Sequence, residues 1–390
     1  METLIELYDE RPLENVLGVE MFRPEHVVYV CPEQIGSDQR VQRRLAEYFE
    51  HRGLALDITF ANANTYDAGH VLSTLRNIVR KYPDCAVDIT GGTDAVLFAA
   101  GLLSAEIDVP VFTYSRKMNR FYNIKNAAFA DKLHCDLEYA VGDLVCMAGG
   151  SVRTGRVDNS VLRDYFDIID PFFKVYLAHR RKWNRIVTFI QRVSPFDGEG
   201  PVPLDAHGAY TVKGDRGSRI DAPEDALRSL EELGLITALS IDPEKGVSFR
   251  FRDKHVRAWL RDVGSVLELY VYKTCIDADR FFDVRLSAII DWEGDGRQNA
   301  VTNELDVLCT SGVTPLFISC KTPLVRTEAL NELAILRDRF GGQMARAAIV
   351  TGERAGAMVR SRADELNISV IDLDDLTKGR LISRIKSVMK

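Results

Sequence analysis

The chain has 390 residues, 46% of them hydrophobic and 27% charged, which is ordinary globular composition and room for two or three domains. Its formal net charge of -7 means that bulk charge does not draw it to nucleic acid, so any such contact needs a local basic surface. No apolar run of about 18 residues is present to span a bilayer, and the opening METLIELYDERPLENV carries acids where a signal peptide is basic and then apolar. This reads as a soluble, cytoplasmic protein with no membrane contact. Seven scattered cysteines without a CxxC pair, and seven histidines without HExxH spacing, argue against a disulfide framework, a zinc site or a histidine-built metal centre.

The first 114 residues alternate between two hydrophobic periods. HVVYVC (26–31) is strand-like, and a helix with Val41, Leu45 and Phe49 on one face follows and stops near Gly53. LALDITFA, a helix carrying Val71, Leu75 and Ile78, CAVDIT, a helix from Thr93 and VPVFTY continue the pattern. Strand and helix at this spacing predict βαβ units, hence a parallel sheet with helices on both faces: a Rossmann-like α/β domain over residues 1–150. Within it, DITGGTDAVLFAAG passes from strand to helix through Gly91 and Gly92. Glycines let the main chain approach a ligand and a helix N-terminus attracts phosphate, but any βα turn needs the same, and the run is neither GxGxxG nor a P-loop.

Residues 151–262 read as a connector, helical from Leu162 to Arg192 with a break at Pro171. Arg180, Arg181, Lys182 and Arg185 cluster there beside Trp183; the plain reading is the solvated face of a helix whose apolar side is Trp183, Ile186, Phe189 and Ile190. VSPFDGEGPVPLDAHG (193–208) is a linker. APEDALRSLEELG then predicts a helix with Pro223 at its start, Leu227, Leu230 and Leu233 inward and Gly234 as its stop. LITALSI and VSFRF flank the turn DPEKG, so helix plus hairpin resembles a winged-helix module, with Arg250, Arg252, Lys254 and Arg257 either duplex contacts or a solvated wing.

Residues 263–390 form a second α/β domain: a helix (GSVLELYVYKTC), strands near 284–291, a hairpin, a helix over 328–340, strand RAAIVT, a helix, strand ISVIDLD and a last helix. The hairpin NELDVLCTSGVTPLFISCKT carries the chemistry. Strand alternation points Glu304 and Asp306 one way, and on the facing strand Ser319 and Lys321 share a face. Two acids and a lysine on one sheet edge supply what phosphodiester hydrolysis requires: oxygen ligands for a hard cation, a means of activating water and positive charge near the phosphate. A structural ion pair would use the same residues.

The hairpin, the upstream helix with Glu268 and the downstream LRDRFGG resemble the restriction-endonuclease-like, PD-(D/E)xK nucleases. More specifically, most of residues 263–373 is similar to the C-terminal domain of the CRISPR-associated Rossmann-fold (CARF) nucleases of type III CRISPR defence. The resemblance implies a metal-dependent endonuclease using Mg²⁺ or Mn²⁺, in which Glu268 is the helix acid, Asp306 the principal metal ligand, the main-chain carbonyl of Cys320 part of the metal shell and Lys321 the residue that orients or activates water. Ser319 stands where many relatives have glutamate. A serine there is expected to hold a metal-bound water and to weaken metal binding or shift it toward Mn²⁺, with Glu304 as a second carboxylate. The strand-TGGT-helix run is similar to the ligand loop of CARF domains, which bind cyclic oligoadenylates across a two-fold axis. By that likeness Thr90, Gly91, Gly92 and Thr93 contact the activator, expected to be cyclic tetra-adenylate; CPEQIGS adds Gln34 and Ser37, SRKMNR adds Arg116 or Lys117, and the chain is a C2 homodimer. Relatives often carry lysine after the second threonine; here it is Asp94. The implied function is an activated endonuclease that cuts single-stranded DNA or RNA and is able to nick duplex DNA. The competing reading is a ligand-responsive winged-helix DNA-binding regulator with an inactive nuclease fold.

Overall fold

The computed structural model describes residues 1–155, 159–196, 198, 200–293, 301–322 and 325–390; positions 197 and 199 of the expected linker lie outside them. The N-terminal sheet contains β1 (Thr3–Leu7), β2 (His26–Cys31), β3 (Asp57–Asn62), β4 (Cys85–Asp88), β5 (Val111–Ser115) and β6 (Arg120–Lys125), in the order β3-β2-β1-β4-β5-β6. The first five strands pair in parallel, and β6 is antiparallel to β5. Two expectations are corrected here. The sheet is mostly rather than wholly parallel, and its central strand is TLIEL, a segment read above only for its acids. All five of its residues are buried, including Glu6, whose charge interrupts the apolar run that a buried central strand otherwise shows. The chain winds outward from β1 to β3 and returns to β4, so the order reverses between β1 and β4. In open α/β sheets ligands bind beyond the carboxyl ends of the strands at such a point.

The connector begins with β7 (Ser151–Thr154), which pairs with the C-terminal sheet, so the expected boundary at residue 150 does not separate the domains cleanly. Helix Phe166–His179 runs through Pro171 without a break; the interruption falls at a 3-10 turn, Arg180–Lys182, before helix Trp183–Val193. Then come β8 (Asp205–Gly208), the hairpin β9 (Thr211–Lys213) and β10 (Arg219–Asp221), helix Glu224–Glu232, β11 (Ile236–Asp242) and β12 (Gly246–Phe251). β11, β12 and β8 make a three-stranded antiparallel sheet.

The C-terminal sheet adds β13 (Asp283–Asp291), β14 (Thr302–Ser311), β15 (Thr314–Lys321), β16 (Arg346–Thr351) and β17 (Ser369–Ile371), ordered β17-β16-β15-β14-β13-β7. Helix Ser265–Asp277 packs on one face and is held from outside by helix Phe166–His179, where the Phe173 and Tyr270 rings stack at 3.7 Å. One apolar core runs through both helices and the sheet, so the connector and the C-terminal domain fold together. Helix Thr327–Gly341 covers the other face. Six of the seven cysteines are buried, as their use as small core residues predicts. Among the described residues no helix is long and apolar enough to cross a membrane.

Candidate active site

The sheet splits at the hairpin. β14 and β15 pair from Ser311 and Thr314 up to Val307 and Ile318, and no further. Beyond that point β14 follows β13, with Glu304 opposite Ile289, while β15 follows β16, with Ser319 opposite Ile349 and Lys321 opposite Thr351. The notch between the diverging strands holds the predicted residues. Asp306 reaches across it: its Oδ2 accepts the Cys320 main-chain N–H at 2.5 Å, the Ser319 hydroxyl at 3.1 Å and the Lys321 ammonium at 3.4 Å. Carboxylate and lysine thus meet on one side of the sheet, half-buried, as the alternation predicts.

Ser319 is nearly buried and donates to Asp306. A glutamate in its place would set a second negative charge against Asp306; the serine instead fixes the aspartate's orientation.

Glu268 enters from the first turn of helix Ser265–Asp277. The helix start is built by Asp262, whose Oδ2 accepts from Gly264 N, Ser265 N and the Ser265 hydroxyl. A Cβ at Gly264 would lie 2.6 Å from Glu268 Oε1, so the glycine makes room for the carboxylate. Burial, then the charges of Asp306, Asp262 and Glu304, push the Glu268 carboxyl up to about 8 against the pull of Lys321. Glu304 is exposed on the strand edge, and its Oε1 accepts the Ser287 hydroxyl. Ser287, buried in β13, has φ of 53°, a left-handed conformation that a serine in a strand rarely takes. Asp262, Gly264 and Ser287 were not foreseen. The DVGS capping pattern could have found the first two; nothing in the apolar run VRLSAII marks the third.

Among the described residues no three His, Cys, Asp or Glu side chains stand close enough to hold a metal ion unaided. The donor set still suits a hard cation. Asp306, Asp262 and Glu304 all set negative charge against Glu268, with a single lysine opposing them, which leaves excess negative charge that a divalent ion would relieve, main-chain oxygen and water completing the shell.

In the N-terminal sheet the TGGT turn lies at the β1/β4 switch point. Thr90 is committed internally: its N–H donates to Asp88 Oδ1 at 2.7 Å, its hydroxyl donates to the same oxygen, and it accepts from Tyr114 N at 2.9 Å. Gly91 is buried, and a Cβ there would be 2.7 Å from the Leu7 carbonyl. Gly92 has φ of 97°, which a glycine takes without strain. Thr93 is exposed and donates to the Thr65 carbonyl at 3.3 Å. Gln34 and Ser37 are exposed on a short helix, Glu33–Ser37, that follows β2 at the same edge. Arg116 pairs with the buried Glu14. With the exposed Lys117 it lines a cleft of about 820 Å³ that Arg280, Arg346 and the 311–314 turn of the C-terminal domain also line.

The cations of the possible wing are largely engaged. Arg250 donates to Asp205 at 2.8 Å, Arg252 lies over the Tyr165 ring, and Arg257 is buried and donates to the Ser194 carbonyl; Lys254 is exposed. That spends most of the charge a duplex-reading wing would need.

A carboxylate-lined notch in a mixed sheet, with one lysine and an acid from the flanking helix, has the form of a restriction-endonuclease-like centre. Comparison makes the class specific: residues 254–388 match the family model of the Card1-like endonuclease domain. That match spans about the C-terminal third of the chain. Over the full length the fold is that of the protein VC1899 from Vibrio cholerae, with TM-score 0.78, 17% identity and 99% of this chain and 98% of that one covered. It is equally that of Can2 from Sulfobacillus thermosulfidooxidans, solved in complex with cyclic tetra-adenylate, with TM-score 0.74, 17% identity and both chains covered completely at 100%. No curated protein matches in sequence.

Proposed function

We propose that the chain is a cyclic-oligoadenylate-activated, metal-dependent endonuclease of type III CRISPR defence, cutting single-stranded DNA or RNA, with cyclic tetra-adenylate as activator. The observation that carries this is the meeting of Asp306, Lys321 and Glu268 in the notch of a Card1-like endonuclease domain. Full-length likeness to a protein solved with cyclic tetra-adenylate supports the sensor assignment.

The chain's own residues have distinct tasks. Cys320 N–H and Ser319 lock Asp306 Oδ2, which leaves Oδ1 with no protein donor among the described residues. Glu268 and Asp306, with the Cys320 carbonyl, would hold Mg²⁺ or Mn²⁺, whose charge acidifies a water and neutralises the attacked phosphate. Lys321 sets a cation beside Asp306 at the place where that water and the phosphate must meet. The sensor crevice offers Gly92, Thr93, Gln34 and Ser37 to a ligand. A two-fold dimer follows from the ring's symmetry, and helix Asp94–Glu106, which continues from the TGGT turn, exposes Phe98 and Leu102 for it.

The test is to incubate the protein with plasmid, single-stranded DNA and RNA, with Mg²⁺ or Mn²⁺, with and without cyclic tetra- and hexa-adenylate. Strand loss that requires both metal and ring is expected. Cutting of no substrate under any of these conditions overturns the reading.

A further inference from the structure

The most basic segment of the chain is solvent-facing, as its sequence suggested, but most of it precedes the helix whose face it was expected to form. Helix Trp183–Val193 begins only after it, and Arg180, Arg181 and Lys182 form the 3-10 turn between two helices. The position of that turn is fixed by packing. Helix Phe166–His179 runs antiparallel to helix Ser265–Asp277: Phe166 meets Tyr272 at 6.2 Å, Asp170 pairs with Lys273 at 3.1 Å and Phe173 stacks on Tyr270 at 3.7 Å. Continuing that register brings the end of the first helix to the start of the second, where Glu268 projects. Tyr176, one turn before Arg180, is buried against Gly352, where even a methyl group would overlap its hydroxyl. Gly352 in turn donates its N–H to the Lys321 carbonyl at 3.1 Å. The basic turn is therefore held at the same end of the domain as the notch, two contacts from Lys321.

Its charge is available. Arg181 and Lys182 are exposed and Arg180 half-buried, and none of the three forms an ion pair among the described residues. Acids do lie nearby: Glu353 and Arg180 both act on Tyr176, and Lys182 shares a cavity of about 520 Å³ with Asp221, Glu224 and Asp225. Arg185 is already engaged, donating to the Arg219 carbonyl at 2.9 Å. In a chain of net charge -7, three adjacent cations that form no ion pair among the described residues, at the same end of the domain as the candidate phosphodiesterase site, are an attractive surface for an anionic polymer.

We propose that the Arg180–Lys182 turn is the track that holds the sugar-phosphate backbone of a single-stranded polynucleotide as it enters the notch. This rests on the endonuclease reading. Three cations match a short stretch of one strand; a duplex-binding footprint uses roughly six to ten phosphate contacts.

The experiment measures binding without metal, in EDTA, by anisotropy of fluorescein-labelled oligothymidylate and oligouridylate across a salt series. Each phosphate contact on a single strand contributes about 0.7 to the slope of log affinity against log salt. The triple variant Arg180→Gln/Arg181→Gln/Lys182→Gln is thus expected to lose about 2 from that slope and at least tenfold in affinity. The exposed pair alone, Arg181→Gln/Lys182→Gln, should lose about 1.4 and guards against misfolding at the half-buried Arg180. The two oligonucleotides tell which kind of strand is held. The wing variant Arg250→Gln/Arg252→Gln/Lys254→Gln should bind as the wild type does. An unchanged slope in the turn variants, an equal loss in the wing variant, or no binding by the wild type overturns the proposal. Loss of slope in a protein that cuts nothing would refute the enzyme and uphold the track, so the two ideas fail separately.

Discussion

The carboxylate of Asp9 accepts the main-chain N–H of Gly92 at 3.0 Å, across the switch point of the N-terminal sheet. Arg11 grips the same carboxylate, 2.7 Å to Oδ1 and 2.6 Å to Oδ2, and lies 3.9 Å from Glu14, which pairs with Arg116. Burial opposes ionisation of Asp9, but the bonds from Arg11 and Gly92 outweigh it and hold the carboxyl below its usual range. An anion from the chain itself thus sits on the amide that the proposed activator's phosphate would use.

Under the proposed function, that arrangement would make Asp9 a competitor of the ligand. Asp9→Asn removes the charge and keeps an acceptor for Gly92, so cyclic tetra-adenylate should bind several-fold to about tenfold more tightly, given that charged hydrogen bonds exceed neutral ones by about 1 kcal/mol. Isothermal titration calorimetry of both proteins reads this directly. Weaker binding by the variant would mean that Asp9 contacts the ligand rather than excludes it.

At the notch, Asp306→Asn and Lys321→Ala should each lower ring-activated cleavage by on the order of a hundredfold or more while leaving ring affinity unchanged. Ser319→Glu supplies the carboxylate that the family resemblance leads one to expect at this position. It should lower the Mg²⁺ concentration for half-maximal cleavage by about tenfold, since an added anionic oxygen ligand favours a hard cation. Cation titrations of the cleavage rate decide it, and an unchanged Mg²⁺ requirement would show that position 319 does not face the metal.

Beneath the TGGT turn, Glu6 of β1 stands beside Asp88 of β4, both fully buried. Neither oxygen of Glu6, nor Oδ2 of Asp88, has a hydrogen-bond partner among the described residues. Burial pushes both carboxyls up, that of Asp88 to about 7, and for Glu6 the Asp88 charge adds to it. The folded state therefore binds protons that the unfolded chain releases, and stability falls as pH rises from the ordinary value of 3.8 through about 7. Asp88→Asn keeps an acceptor for Thr90 and cannot ionise. It should match the wild type in urea midpoint at the acid end of that window and exceed it above neutrality. A constant difference across the window would sink the assignment.

The hairpin site was legible because its information is local: alternation along two strands fixes which of Glu304, Asp306, Ser319 and Lys321 share a face. The helix acid Glu268 required family likeness, since its meeting with Asp306 depends on how the helix crosses the sheet. What stayed hidden came from non-local pairing. β1 was obscured by Glu6, and with it the loop that carries Asp9 and Arg11. β7 becomes a strand only by pairing with β13, well over a hundred residues on. The turn 180–182 was legible as charge and not as position, because only tertiary packing places it at the same end of the domain as Lys321.

Phe98 is 63% exposed and Leu102 38%, on the outer face of helix Asp94–Glu106, and Tyr66 nearby in the Thr65–Asp67 loop is 92% exposed. An apolar face this close to a ligand turn is costly in water and suits a two-fold interface, where each residue is buried twice. Burying one phenylalanine contributes roughly 1.5 to 3 kcal/mol, so Phe98→Glu should weaken a symmetric dimer by about 3 to 6 kcal/mol, a hundredfold or more in dissociation constant. The substitution lies outside the core and should leave the monomer's melting temperature within a few degrees of the parent's. Sedimentation equilibrium with and without cyclic tetra-adenylate gives the association constant, and cleavage assays on the same samples give the consequence. Ring-dependent cutting should fall with the dimer fraction, because under the proposed function each ring would take the turn from both subunits. A variant that is monomeric yet fully activated would separate sensing from dimerisation and remove the symmetry argument.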